Sequence, residues 1–160
     1  MPKFPERVYT QTEVEKAKEH IRKGYKHGLE IRGSSRFRNK VREALELVKV
    51  AGHYDFLRTY IRRIEEIDGF TQLRQADAVI WANKYAVKNS ADVASLFVQK
   101  ADSMKTYLEG KLYYGGEAEK CSDRKRIEFL QVLRTRSKDK KVVEECDRLL
   151  KMWNDSSLIY

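Results

Sequence analysis

Histidine, cysteine and proline are scarce in this chain of 160 residues, which holds three His, two Cys and two Pro. Cys121 and Cys146 stand in no CxxC or zinc-finger spacing, so neither a disulfide framework nor a structural zinc site is expected. His20, His27 and His53 likewise show no ligand spacing. No apolar run approaches the length that spans a bilayer, and MPKFPERVYT lacks the apolar centre of a secretory signal. No membrane association is therefore expected, and the cytoplasm is the expected location. GxxxxGK[ST], GxGxxG and GxSxG are absent, which leaves nucleotide-binding and serine-hydrolase readings without support.

What is present suits one helical domain. Hydrophobic residues make up 41% and charged residues 36%, a balance that excludes disorder and favours helices with one solvated face. The expected fold is mainly α with a small β element, a single domain of about six helices over residues 1–160, with an extended lead (1–9) and a loose tail (154–160). Thr10 and Glu13 form a capping-box pattern opening a first helix that reaches about Lys23. Leu29 to Ile31 suit a short strand. Phe37, Val41, Ala44, Leu45 and Val48 trace a second helix that Gly52 ends, and Phe56, Leu57, Tyr60, Ile61 and Ile64 a third that leaves through Asp68-Gly69. In FTQLRQADAVIWANKYAVKN, alternation around Ala78 to Ala82 suits a strand, with a turn at Asn83-Lys84 into another at Tyr85 to Val87. A helix through Leu73 to Trp81 remains an open alternative. The last two helices are expected over Glu117 to Arg136, with Ile127, Leu130 and Leu133 inward, and Asp139 to Trp153, with Val142, Cys146, Leu149, Leu150 and Trp153 inward.

The stretch from Asn89 to Cys121 carries the candidate site. Val93, Phe97, Ala101, Met104 and Leu108 recur at three- and four-residue spacing and form a buried stripe, with Leu96 at its edge. Asn89 and Ser90 suit the helix start, Asp92 its positive end and Gly110 its stop. Gln99 and Ser103, four apart, project from one face beside the stripe, and Lys100 lies closer to its edge. A loop with Tyr113, Tyr114 and two glycines then leads to Glu119.

The run FVQKADSMKTYLEGKLYYGGEAEK resembles the active-site segment of zincin-like HExxH metallopeptidases in the gluzincin arrangement, where a Glu on a following helix is the third protein ligand. Gln99, Lys100 and Ser103 occupy the His, Glu and His positions, and Glu119 the downstream Glu. The tyrosine-glycine loop and the alanine before Glu119 fit small bacterial and phage-type members, and the resemblance extends loosely over residues 29–135. It implies an edge strand ahead of the central helix; if the family's cleft is kept, Tyr113 and Tyr114 are the candidates to line it, with a packing role as the alternative.

The departures from the motif remove its chemistry. Two His at i and i+4 hold one zinc, a carboxylate completes the site, and a Glu beside the first His takes a proton from bound water. Gln99 supplies only an amide, Ser103 a neutral hydroxyl, and Lys100 a cation where the base belongs. No metal, cofactor or peptidase activity is therefore expected, and the chain reads as a non-catalytic protein with a binding or interaction role toward a protein or peptide partner. If Glu119 faces Lys100, the ammonium would neutralise it in place of the metal. An engineered or inactivated variant of an active metallopeptidase would show the same pattern.

A different reading rests on charge. Thirty-three Lys and Arg against 24 Asp and Glu give a formal +9, enough to attract polyanions. Arg36, Arg38, Arg62 and Arg63, interleaved with Phe37 and Tyr60, are candidate phosphate contacts of a basic helical nucleic-acid-binding module, with weak, salt-sensitive affinity. No helix-turn-helix, RNP, KH or zinc-finger signature accompanies them.

Overall fold

Three local signals in the sequence become helix ends. Thr10 accepts from the Glu13 amide and Glu13 reaches back to Thr10, a complete capping box at the head of α1 (Gln11–Arg22). Ser34 caps α2 (Ser35–Val50) through the Phe37 amide, and Asn89 caps α4 (Ser90–Leu108) through the Asp92 amide. The structure is a computed structural model that describes residues 3–112 and 115–157. Its other elements are β1 (Glu30–Arg32), α3 (Tyr54–Tyr60), β2 (Arg63–Glu66), β3 (Gln72–Arg74), β4 (Val79–Ala82), α5 (Gly116–Arg136) and α6 (Lys140–Ser157). The fold is mainly α with a small β element, as expected.

The four strands form one sheet in the order β1-β2-β4-β3. β1, β2 and β4 are parallel, and β3 lies antiparallel to β4 at the sheet's edge. Ile31, Ile64 and Ile80 align across the parallel ladder, so one apolar row crosses the sheet. Parallel neighbours require a crossover, and α2 with α3 supplies the one between β1 and β2. Gly33 makes that turn possible. A Cβ there would lie 2.7 Å from Phe37 Cδ1 and 2.8 Å from Glu66 Cβ.

Helix α4 is the hub, packing against every other helix and against β3. Its predicted stripe is buried along its whole length: Val93, Phe97, Ala101 and Met104 are fully enclosed and Leu108 nearly so. Phe37 and Val41 from α2, Leu57 from α3, and Phe129, Leu130 and Leu133 from α5 join the same core. A central helix touched on all sides must be apolar on more than one face, and Ala91, Ala94 and Val98 are also buried. Among the described residues no helix is long and apolar enough to cross a membrane.

Several expectations are corrected. Ile64 lies on β2, because α3 ends at Tyr60 and the chain enters the sheet within three residues. The antiparallel partner of the Val79–Ala82 strand is Gln72–Arg74 before it; Tyr85 to Val87 form a turn, held by the Asn83 side chain accepting from the Tyr85 and Ala86 amides. A helix through Leu73 to Trp81 does not form. Ile127 is only half-buried, and Phe129 takes the inward position. The last helix continues through Ser157, so residues 154–157 are helical, and 158–160 lie outside the described residues. The lead is docked: Val8 is buried, its amide donates to the Ala76 carbonyl at 2.6 Å and its carbonyl accepts from the Tyr107 hydroxyl at 2.6 Å.

Candidate functional site

Polar residues buried in an apolar helix mark where α4 meets α5. Ser95, Gln99 and Ser103 recur every four residues on one face of α4, and all three are buried. Buried polar groups need partners, and α5 supplies them. Gln99 Nε2 donates to Asp123 Oδ1 at 3.4 Å, and the Ser103 and Ser122 hydroxyls are 3.4 Å apart. One turn nearer the helix start, Arg126 Nε donates to Ser95 Oγ at 3.0 Å and its Nη2 to Asp92 Oδ1 at 2.6 Å. Arg126 also lies over the Trp153 ring, 5.0 Å from its centroid, which ties α6 to the same junction.

Above this seam opens a cleft of about 250 Å³. Gln99, Lys100 and Ser103 form one wall, Glu119, Ser122 and Asp123 the second, and Thr71, Gln72 and Leu73 of the β3 edge the third. The four residues singled out by the motif thus meet in one place, beside an edge strand. Tyr113 and Tyr114 lie outside the described residues.

The electrostatics differ from the expectation in one respect. No ion pair joins Lys100 to Glu119 among the described residues. Burial holds the Lys100 ammonium below its ordinary range, with Arg126 acting in the same direction, and Asp123 is the carboxylate that opposes them. Burial likewise raises the Asp123 carboxyl, with Glu119 adding to the rise while Arg126 and Lys100 oppose it. Glu119 itself is exposed at the cleft mouth. Asp123 takes the central position because it lies one turn deeper along α5, facing the buried Gln99.

The cleft does not fit zinc. Its α4 wall offers an amide already donating to Asp123, a hydroxyl and a cation, and an ammonium beside the site repels a divalent ion. Among the described residues no three His, Cys, Asp or Glu side chains are grouped so as to hold a metal.

The four basic candidates do not converge. Arg36 is exposed at the start of α2 and lines a separate cleft, whereas Arg38 is half-buried with its Nε enclosed. Arg62 donates to the Pro5 carbonyl and lies 5.5 Å from the Phe4 centroid, anchoring the lead. Arg63 pairs with Glu65 at 3.4 Å and Glu30 at 4.0 Å along the sheet. Phe37 is buried and Tyr60 half-buried, so neither ring is open for stacking on a base.

Sequence reasoning missed Asp123, Ser122 and the β3 edge. Asp123 was within reach, because it follows Glu119 by four residues and shares its face of the helix. Thr71 to Leu73 had no comparable signal. Comparison with protein-family models, curated proteins and solved structures finds no match.

Proposed function

We propose that this chain is a non-catalytic protein of zincin-like metallopeptidase architecture, which binds a protein or peptide partner in the cytoplasm. The observation that carries the reading is the cleft. Gln99, Lys100 and Ser103 of α4 and Glu119 of α5 line it together, beside an antiparallel edge strand. A ligand set needs that convergence, and nothing in an ordinary polar helix face demands it. Asp123 adds support: a carboxylate that takes a hydrogen bond from position 99 stands where the outer partner of a metal-bound histidine would stand. Two unpaired cysteines suit a reducing compartment.

The test is restoration. The triple variant Gln99→His, Lys100→Glu, Ser103→His is expected to bind one zinc ion with Glu119, at least about 100-fold more tightly than the unaltered protein, because it regains two imidazoles and loses the opposing cation. Calorimetric zinc titration at neutral pH reads this directly. A folded triple variant with no gain in zinc affinity would sink the zincin-like alignment.

A further inference from the structure

A second cleft, of about 290 Å³, lies on another part of the surface, between the first turns of α2 and the turn that follows β4. Its walls carry four cations. Arg36 and Lys40 come from one face of α2, and Lys84 and Lys88 flank the turn. A single carboxylate, Glu66, accompanies them, and its Oε1 already accepts from the Ser34 amide at 2.9 Å. Lys40 is the one cation of the four that pairs with a carboxylate among the described residues, Glu43 at 3.6 Å, in a partly exposed i,i+3 pair of little strength. The cleft is thus a convergence of like charge that Glu66 and Glu43 offset only in part among the described residues.

Between the lysines stands Tyr85, 64% exposed. The Lys84 ammonium lies 5.3 Å from the centroid of its ring and the Lys88 ammonium 5.0 Å. Both ammoniums lie over the ring at cation–π distance, so a base that stacks on Tyr85 takes the place of a flexible lysine head, which then has a phosphate beside it to pair with. A free inorganic anion would use the charges and leave the ring without a role, and an acidic peptide has no flat base to lay on it. A nucleotide strand uses both. Val87 and Phe37, both buried, give the cleft a firm floor.

We propose that this cleft, between Arg36 and Lys40 on one side and Lys84, Tyr85 and Lys88 on the other, binds single-stranded nucleic acid, with one base stacked on Tyr85 and the flanking phosphates held by the four cations. The site differs from the basic cluster expected from the sequence, since it keeps Arg36 and has Lys40, Lys84 and Lys88 in place of Arg38, Arg62 and Arg63. It is independent of the α4–α5 cleft.

The experiment is fluorescence anisotropy with a labelled single-stranded oligonucleotide, either oligo-dT or oligo-U, over a salt series. Binding is expected to weaken with salt at a log–log slope of about −2 to −3, as three or four phosphate contacts on a single strand require. Lys84→Glu with Lys88→Glu is expected to weaken binding by at least about 30-fold, and Tyr85→Ala by about 10-fold, while Tyr85→Phe keeps the affinity. The control is an equal charge change elsewhere, Lys138→Glu with Lys141→Glu on exposed positions near the start of α6, expected to cost no more than about threefold. Absence of binding at low salt, a control loss equal to that of the site pair, or no effect of Tyr85→Ala would each overturn the proposal. So would displacement of the oligonucleotide by poly-aspartate of equal charge, which would point to an acidic protein instead. Should the charge reversal unfold the protein, the Tyr85→Ala and Tyr85→Phe pair decides alone.

Discussion

Gln99 donates to Asp123 across the α4–α5 junction, and this long hydrogen bond of 3.4 Å sets the geometry at the base of the cleft. On the zincin-like reading proposed above, Asp123, one turn beyond Glu119, is the carboxylate placed to orient a histidine at position 99. In the zinc-restored triple variant, adding Asp123→Ala is therefore expected to lower zinc affinity by about 10- to 100-fold without unfolding the protein. Chelator competition would measure it. An unchanged affinity would show that Asp123 orients nothing.

His27 is 2% exposed, with Phe4 and Tyr25 edge-on at 4.5 and 5.0 Å. Burial first, then Arg62 and Arg58, lowers its imidazole to about 4. In the unfolded chain it titrates near 6.5. Between those values the unfolded state holds a proton that the native state refuses, so stability is full above about pH 6.5 and falls as the solution is acidified toward pH 4. The loss attributable to this residue is about 3 kcal/mol at its limit. Urea unfolding at a series of pH values should show that slope reduced in His27→Phe; equal slopes in the two proteins would remove the assignment.

The two thiols differ in access. Cys146 is fully buried on α6, and burial, with Asp147 and Glu145 adding to it, raises its thiol to about 11. Cys121 is exposed on α5. Alkylation of the native protein at mildly alkaline pH is expected to add one group, at Cys121, and a second only in denaturant. Intact mass over time reads the outcome. Rapid double labelling would mean that α6 does not stay docked.

Gly33 sits where α2 leaves the sheet, with no room for a side chain between Phe37 and Glu66. Gly33→Ala is expected to destabilise the fold by about 1–3 kcal/mol, since the Phe37 ring and the Glu66 side chain must both give way. Gly28→Ala, where nothing lies within 4 Å, is the comparison, and its effect should stay within about 0.5 kcal/mol. Denaturant midpoints decide it, and equal losses in both variants would refute the packing argument.

Helices were legible wherever their information is local. Caps at Thr10 and Asn89 and the stripe from Val93 to Leu108 need only neighbours within a turn or two, and each stands where the spacing placed it. The misreading of Ile64 has a specific cause. Tyr60, Ile61 and Ile64 satisfy helical spacing, yet Ile64 is committed to β2 by pairing with Ile31 and Ile80, residues distant in sequence. The β3 edge was missed for the same reason, because Gln72–Arg74 is too short and too polar to announce itself without its partner on β4. At the candidate site, the spacing of Gln99 and Ser103 was readable from the helix period. That Asp123 and not Glu119 takes the inner position was not.

By itself the sequence determined the helical character of the chain, the buried face of its central helix, and the absence of zinc-ligand chemistry at Gln99, Lys100 and Ser103. These follow from residue type and short-range period, which act within one element. The tertiary structure alone decided which strands pair, which carboxylate on α5 faces position 99, and that Arg36 and Lys40 meet Lys84 and Lys88 across a cleft. Those relationships join segments far apart along the chain, and their positions follow from how the core closes around α4 and not from any local preference.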